Sequence, residues 1–355
     1  MDRLTLAREA MHGASLNAML VTNIHNIRWL SGFSGSSAVI LLTDARQIFL
    51  TDSRYTSQAG MECKGWEVFQ IEKSYPDEIA DRLREEGVTK LGFESDHISW
   101  RNWKTYADAL GSGVEFTPCS QIMENLRMIK DPKEIKIIRE ACKVSDKAFE
   151  GILPFIRPGV TERDVMLELE WSMRKMGADV AFDTILASGP RSSLPHGHAT
   201  NRILQEGDFV TMDFGAKVDG YCSDITRTVV LTRANKEQRK VYRTVLDALN
   251  QAIEAIKPGV LGKDIDFIAR NHIRTEGYGA YFGHGLGHSI GLEVHDGHGF
   301  SPKSETVMTE GMILTVEPGI YIPNWGGVRI EQDVLVTSDG HKVLTRVPTR
   351  MIILQ

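Results

Sequence analysis

Four acidic residues stand beside apolar, strand-like runs in the second half of the chain: Asp213, Asp224, Glu317 and Glu331. Glycines separate the apolar runs within each pair, so two strands joined by a turn would bring the two carboxylates together. Because an unpaired buried carboxylate is costly, four of them in apolar surroundings predict a bound cation. Carboxylate oxygens favour hard or borderline ions such as Mn²⁺ over metals that thiolates select.

Histidines supply a second kind of ligand close to the second acid pair. Residues 283–296 read GHGLGHSIGLEVHD and contain three of them: His284, His288 and His295. The glycines of this segment let backbone and substrate approach closely. The region before the first acid pair offers His196 and His198 at the matching place. His196 is the favoured functional residue of the two. We therefore predict that carboxylates and imidazoles share one site.

An internal repeat must position these side chains. Residues 152–165 (ILPFIRPGVTERDV) are similar to residues 252–265 (AIEAIKPGVLGKDI), one hundred positions later. A strand-like segment then follows in each half, beginning Glu-Gly at position 206 and again at position 310. A period this long indicates an ancestral duplication rather than a solenoid. A pseudo-twofold relation between the halves would bring the acids of both to one centre.

Residues 1–125 have a different pattern, in which short β-rich runs alternate with helical segments. This alternation predicts a compact mixed α/β domain. The predicted strands are Asn17–Thr22, Ser37–Thr43, Gln47–Asp52, Glu67–Glu72 and Lys90–Ser95, and the predicted helices include Asp77–Glu86 and Arg101–Leu110. The Asp131-Pro132 pair can open a helix. We place the domain boundary near residue 125, so that residues 126–355 form the second domain of an α/β (α+β) protein.

Bulk composition excludes some classes of function. The 355 residues carry a net charge of −6 with mixed signs, whereas nucleic-acid binders are more often basic. No run approaches the roughly eighteen apolar residues of a membrane span, and the N-terminus lacks the features of a signal peptide. Four scattered cysteines without a CxxC pair indicate reduced thiols and a cytoplasmic location. Walker, HExxH and GxSxG motifs are absent.

The ordered set of acids and histidines resembles the metallopeptidase family of methionine aminopeptidase, aminopeptidase P and prolidase, whose catalytic domain is the pita-bread fold. The matching stretches are Ser188–His196, Met212–Gly215, Ser223–Thr226, His284–Asp296, Thr315–Tyr321 and Gly327–Glu331. Residues 26–36 (NIRWLSGFSGS) and 50–55 (LTDSRY) also resemble the N-terminal domain of the prolidase, aminopeptidase P and creatinase branch. Methionine aminopeptidase lacks that domain and is disfavoured.

The resemblance implies a ligand set for two divalent ions. Asp213 would bind one ion, and His288 and Glu317 the other. Asp224 and Glu331 would bridge both ions. Glu317 would also act as general acid–base, taking a proton from water and passing it to the leaving proline nitrogen. The resemblance implies Mn²⁺, although Co²⁺ and Zn²⁺ suit the same ligands.

Further residues gain roles from the same resemblance. Phe182 and His284 would help to form the pocket that accepts proline. His196 and His295 would contact the reacting carbonyl and stabilise charge that develops in the transition state. Arg329 would support the metal ligands. The implied activity is hydrolysis of the bond between an N-terminal residue and proline, and the implied assembly is a homodimer.

Two activities within the family remain open. Prolidases cut Xaa-Pro dipeptides and commonly hold the free proline carboxylate with an arginine shortly after the histidine that aligns with His295. Residues 296–316 contain no arginine and only Lys303, which leaves room for Xaa-Pro-Yaa substrates of an aminopeptidase P. Two alternatives outside peptide hydrolysis are a metal-free creatinase-like hydrolase and a non-catalytic binding protein on this fold. Retention of all five ligand positions argues against both.

Overall fold

The computed structural model describes residues 2–355 and divides them into two compact units, one ending at Arg127 and one beginning at Met128. Each unit has its own apolar core. None of the helices within residues 2–355 is long and apolar enough to cross a membrane.

The first unit is built on one mixed sheet flanked by helices. Its strands, in chain order, are β1 (Ala18–Val21), β2 (Ala38–Thr43), β3 (Gln47–Thr51), β4 (Glu67–Gln70), β5 (Lys90–Glu94) and β6 (Glu115–Cys119). They lie side by side in the order β4-β3-β2-β1-β5-β6. The helices are α1 (Arg3–Gly13), α2 (Ile24–Ser31), α3 (Thr56–Glu62), α4 (Tyr75–Glu86), α5 (Trp100–Leu110) and α6 (Ile122–Arg127).

The predicted elements of this unit are confirmed. All five predicted strands are present with shorter ends, and α4 and α5 cover the two predicted helices. In α4, Ser74 accepts a hydrogen bond from the amide of Asp77, and Gly87 ends the helix at φ 64°, as capping rules expect. Sequence reasoning missed β6. It contains Pro118, which weakens a strand pattern and is tolerated because β6 is an edge strand.

Helices and short strands alternate in the second unit. Its helices are α7 (Pro132–Ile152), α8 (Glu162–Lys175), α9 (Lys236–Glu254) and α10 (Gly262–Thr275). Its strands are β7 (Asp179–Val180), β8 (Ile185–Ser188), β9 (Phe209–Phe214), β10 (Ala216–Val218), β11 (Tyr221–Cys222), β12 (Ile225–Leu231), β13 (Ile313–Val316), β14 (Gly319–Ile322), β15 (Gly326–Arg329), β16 (Gln332–Val336), β17 (His341–Val343) and β18 (Ile352–Leu354). As predicted, Asp131-Pro132 opens α7, with Asp131 capping the helix.

Duplication is visible in the geometry of this unit. α8 and α10 have equal lengths and begin one hundred residues apart. Each follows a Pro-Gly turn in which the glycine has a left-handed φ, 94° at Gly159 and 88° at Gly259. This conformation explains why both repeats keep glycine there. The residue before each helix makes an equivalent isolated bridge, Thr161 with Ile203 and Leu261 with Val307. The predicted duplication is therefore present in the second unit.

Candidate metal centre

Two antiparallel strand pairs position the four acids. β9 pairs with β12 so that Asp213 faces Thr226, and Asp224 lies at the residue before β12 begins. β13 pairs with β16, and Glu317 and Glu331 stand next to the last paired residues of these strands. Asp213 lies within β9, and the other three acids stand directly beside the ends of buried strands. The predicted hairpin arrangement of the acids is present in both halves.

Contacts between the halves bring the two acid pairs together. The amide of Glu331 donates to the carbonyl of Thr226 at 3.1 Å. His288 Nε2 lies 3.6 Å from Asp224 Oδ2 and 3.6 Å from Glu317 Oε1. One ligand atom each of Asp224, His288 and Glu331 lies within 4.8 Å of the others. Three of the carboxylates thus converge on the His288 imidazole, and Asp213 lines the same cavity.

Among residues 2–355, three carboxylates of this cluster lack a fixed cationic partner: Asp224, Glu317 and Glu331. Asp224 is 4% exposed and Glu331 is 1% exposed. Burial, followed by the neighbouring carboxylates, raises the pKa of both groups well above the ordinary range. Burial raises the pKa of Glu317 to about 8. Among residues 2–355, no hydrogen-bond donor reaches the buried Oδ1 atoms of Asp213 and Asp224. Such orphaned acceptors are costly, and cations at this point would satisfy them.

The orientation of His288 suits a metal ligand. Its Nδ1 lies 3.2 Å from the carbonyl of Ser289, and a carbonyl only accepts, so Nδ1 carries the proton. Burial, followed by the neighbouring His295, lowers the pKa of His288 to about 4. The ring is therefore neutral and directs the lone pair of Nε2 towards the carboxylates. Hydrogen bonding at the opposite nitrogen fixes the tautomer of metal-binding histidines in this way.

Arg329 is the cation nearest the first acid pair. It is 3% exposed, and its Nη2 donates to Asp213 Oδ2 at 2.5 Å. Its Nη1 donates to the hydroxyl of Tyr321 at 2.8 Å and to the carbonyl of Pro195 at 3.1 Å. One guanidinium therefore fixes Asp213 while leaving the other acids without a fixed positive partner.

His284 lies on the far side of Tyr321. Its Nδ1 donates to the carbonyl of Gly285 at 2.7 Å, and its Nε2 is 3.0 Å from the Tyr321 hydroxyl. Burial, followed by Arg329, lowers the pKa of His284 to about 4. Since the neutral ring donates through Nδ1, its Nε2 accepts from Tyr321. His284 is thus held as a neutral ring, edge to face with Phe282 at 5.0 Å.

All ten predicted site residues border one cavity of about 410 Å³. They comprise the five proposed ligands and five other residues: Phe182, His196, His284, His295 and Arg329. The rings of His288 and His295 have centroids 4.1 Å apart. His198, the disfavoured histidine, is not among the lining residues. Ile185, Pro195 and Val294 add apolar surface to the cavity wall.

Sequence reasoning missed several residues that support the ligands. Tyr321 was within a recognised stretch but received no role, and Thr315 donates to Glu317 Oε1 at 3.4 Å. Thr226 donates to Glu331 Oε2 at 2.7 Å. These polar residues alternate with apolar ones in strands that are otherwise buried. A buried-strand pattern interrupted by hydroxyl groups next to acidic residues is the signal that could have identified them.

Comparison with known proteins decides the family. Residues 136–338 match metallopeptidase family M24, and residues 3–129 match the creatinase/prolidase N-terminal domain. The chain belongs to metallopeptidase family M24. Within this family it lies in the prolidase and aminopeptidase P branch, and it is a metallo-exopeptidase. Family membership implies divalent metal ions, and the unpaired oxygen donors of the cluster fit such ions.

Relatives match over nearly the whole chain. The Xaa-Pro dipeptidase of Pyrococcus horikoshii is 40% identical over 354 residues, with 97% of each chain covered. The structure of an Xaa-Pro dipeptidase from Bacillus anthracis has a TM-score of 0.96 at 45% identity, with 99% of each chain covered. An X-Pro aminopeptidase from Thermotoga maritima MSB8 has a TM-score of 0.91 at 38% identity, covering 99% of this chain and 100% of its own.

Proposed function

We propose that this enzyme is a dinuclear-metal-dependent Xaa-Pro peptidase that hydrolyses the bond between an N-terminal residue and proline. The observation that carries the proposal is the convergence of four buried carboxylates and a neutral imidazole on one cavity without fixed positive partners for most of them. The names of the relatives, which include both dipeptidases and an aminopeptidase, support the specificity for proline.

Five residues would hold two ions. By resemblance to the family, Asp213 would hold one ion, His288 and Glu317 the other, and Asp224 and Glu331 would contribute to both. Mn²⁺ is the proposed metal, because four of the five ligands are carboxylates, with Co²⁺ and Zn²⁺ as alternatives. When bound, the ions supply a lowered pKa for water and polarisation of the scissile carbonyl.

The chain's own residues handle the protons. Glu317 stands in the cavity wall and accepts a proton from the attacking water, then donates it to the leaving proline nitrogen. His196 and His295 line the same cavity and donate hydrogen bonds to the carbonyl oxygen as it gains charge. Such donors contribute most when they stabilise charge that appears only in the transition state.

A shaped apolar wall supports the proposed preference for proline. Phe182, Ile185 and Val294 border the cavity next to His284. Both nitrogens of the His284 ring are already engaged, by Gly285 and by the hydroxyl of Tyr321. The ring therefore presents a neutral surface rather than a free hydrogen-bonding group. That surface suits a pyrrolidine ring, whose nitrogen has no N–H to offer.

Both dipeptides and longer peptides remain candidate substrates. Residues 296–316 offer Lys303 but no arginine as an anchor for a free proline carboxylate. Lys303 and His298 border a second cavity of about 470 Å³, which shares Gly287 with the first. The relatives' names divide in the same way, between dipeptidase and aminopeptidase. Product analysis is required to separate the two activities.

The deciding experiment offers Ala-Pro and Ala-Pro-Ala to Mn²⁺-loaded enzyme, with a chelated sample as control and mass spectrometry as the readout. Metal-dependent release of alanine from Ala-Pro alone identifies a prolidase. Release of alanine from the tripeptide identifies an aminopeptidase P. If neither peptide is cut by folded, metal-loaded enzyme, the proposed specificity is wrong.

We further propose a homodimer that works in the cytoplasm. All four cysteines are buried free thiols, which suits a reducing compartment. Sedimentation of the 39.7 kDa chain tests the assembly directly. A species of twice the chain mass supports the dimer, and a stable monomer contradicts it.

A further inference from the structure

A buried hydroxyl of the first half contacts an acid of the second half. Thr226 is the second residue after Asp224 and is 0% exposed. Its Oγ1 donates to Glu331 Oε2 at 2.7 Å and accepts from Nε of Arg329 at 2.9 Å. The guanidinium can only donate, so the single hydroxyl proton of Thr226 is directed to Glu331. This hydrogen bond holds one carboxylate oxygen of Glu331 in place.

A buried carboxylate of the second half makes the converse contact. Asp333 is the second residue after Glu331 and is 0% exposed. Its Oδ2 accepts from the amide of Asp224 at 3.1 Å and from Sγ of Cys142 at 3.4 Å. Cys142 belongs to α7, so the Asp333 carboxylate joins that helix to Asp224, which directly precedes β12. The peptide unit of Asp224 is therefore fixed from the opposite half.

The two contacts are reciprocal. Each proposed bridging acid is followed, two residues later, by a side chain that reaches across to the other bridging acid. We propose that Thr226 and Asp333 are reciprocal positioning residues that hold Asp224 and Glu331 in the geometry that binds the ions. This inference rests on the proposed function, since it assumes that these two acids are metal ligands.

The surroundings of Asp224 indicate that Asp333 positions this ligand in addition to joining two strands. Asp224 Oδ1 has no hydrogen-bond partner in residues 2–355, so few contacts of its own restrain the carboxylate. Its peptide unit, anchored by Asp333, sets the direction in which the side chain leaves the backbone. Mutation of residues that orient metal ligands in this way typically lowers metal affinity or activity by about 10–100-fold.

The chain offers a matched control in the same strand. Thr228 is also buried, at 1% exposure. Its Oγ1 donates to the carbonyl of Arg329 at 2.9 Å and accepts from the amide of Arg329 at 3.2 Å. It also lies 3.1 Å from the hydroxyl of Thr211. It touches no side chain of a proposed ligand, so Thr228→Val should cost stability without changing metal affinity.

The test titrates Mn²⁺ into chelator-treated full-length enzyme and its variants by isothermal calorimetry. Thr226→Val keeps the shape of the side chain and removes the hydroxyl, whereas Thr226→Ser keeps the hydroxyl. Asp333→Leu removes the acceptor for the Asp224 amide, whereas Asp333→Asn keeps an acceptor oxygen. We expect the first change of each pair to weaken Mn²⁺ binding about tenfold or more, and the second to restore most of it. Urea unfolding of each metal-free variant gives its stability separately.

Outcomes separate this inference from the proposed function. If Thr226→Val binds Mn²⁺ as tightly as Thr228→Val at comparable stability, the positioning role is overturned. Thr226→Val alone carries the test if Asp333→Leu does not fold. Wild-type enzyme that binds Mn²⁺ but cuts no Xaa-Pro peptide overturns the proposed function and leaves the positioning role standing. Folded wild-type enzyme that binds no Mn²⁺ overturns both.

Discussion

Two buried acids of the second unit have opposite surroundings. Glu162, at the start of α8, accepts from the amide and hydroxyl of Ser188 at 2.8 Å each and from the amide and hydroxyl of Thr200 at 3.0 and 2.7 Å. Arg191 also donates to it. Asp224 has an oxygen with no donor within residues 2–355 and lies among other carboxylates. Both side chains are withdrawn from water, so the difference is in their partners.

The pKa values follow this difference. Burial alone would raise the pKa of Glu162, but hydrogen bonds from Thr200 and Ser188 outweigh it, and the pKa is lowered from 4.5. Burial and the neighbouring Glu331 raise the pKa of Asp224 well above its ordinary range. A buried acid with a full set of donors stabilises the fold, whereas buried acids that lack donors indicate a site for a cation.

The largest expected effect is the loss of a bridging ligand. Glu331→Gln should lower kcat/KM of the Mn²⁺-loaded enzyme at least about 1,000-fold, because residues that merely orient ligands are already worth about 10–100-fold. Steady-state cleavage of the better of the two proline peptides measures the loss. Thr228→Val, in the neighbouring strand β12, is the control and should retain activity. Near-normal activity of Glu331→Gln would contradict the ligand assignment.

A third buried acid sharpens the comparison because its partner is a lysine. Lys130 Nζ lies 3.0 Å from Asp296 Oδ2, and their side chains are 1% and 2% exposed. Lys130→Met removes a buried cationic partner of Asp296 and should cost about 3 kcal/mol of unfolding free energy. Urea denaturation measures the cost. Lys263→Met is the matched control, since its partner Glu305 is 72% exposed and such pairs contribute about 0–1 kcal/mol.

Lys130→Met should therefore lower the unfolding free energy more than Lys263→Met does. Equal costs for the two lysine changes would mean that burial of the Lys130–Asp296 pair does not matter. The claim that a buried acid depends more strongly on its partner than an exposed acid does would then be contradicted.

Neutralising one acid of each kind in the metal-free enzyme should change the unfolding free energy by a smaller amount, and the two changes should have opposite signs. Glu162→Gln removes the charge that five donors stabilise and should lower the unfolding free energy by about 2 kcal/mol. Glu331→Gln relieves repulsion among carboxylates and should raise it. Urea denaturation of both metal-free proteins checks the signs. Destabilisation by both changes would show that the metal-free cluster is satisfied in a way that its hydrogen bonds do not reveal.

The smallest effect concerns pH. The pKa of Glu162 is lower in the folded protein than its ordinary value of 4.5, so its charge stabilises the fold above that value. This contribution is lost as pH falls through the lowered folded pKa. The stability difference between wild type and Glu162→Gln should therefore be constant near pH 6 and shrink below about pH 4.5. A difference that grows on acidification would contradict the assignment of Glu162 as an ionised, stabilising group.

The sequence indicated the acids through their repeated apolar contexts and the histidines through their glycine-rich cluster, and the family resemblance supplied the predicted roles. The repeat also predicted the duplicated fold, and short β-rich runs predicted the first five strands. Contacts that depend on long-range register could not be predicted in this way. Lys130 and Asp296 are 166 residues apart, and nothing near Lys130 in the sequence indicates a partner. Thr226 gains its role only because β12 faces the strand end that carries Glu331.

The most direct test of the central claim is the metal stoichiometry of the folded enzyme. Chelator-treated protein is titrated with Mn²⁺ by isothermal calorimetry, and circular dichroism verifies the fold at each stage. We expect two ions per chain in the wild type and fewer in Glu331→Gln. Folded wild-type protein that binds no divalent ion would contradict the account, because the unpaired buried carboxylates would then have no physical explanation.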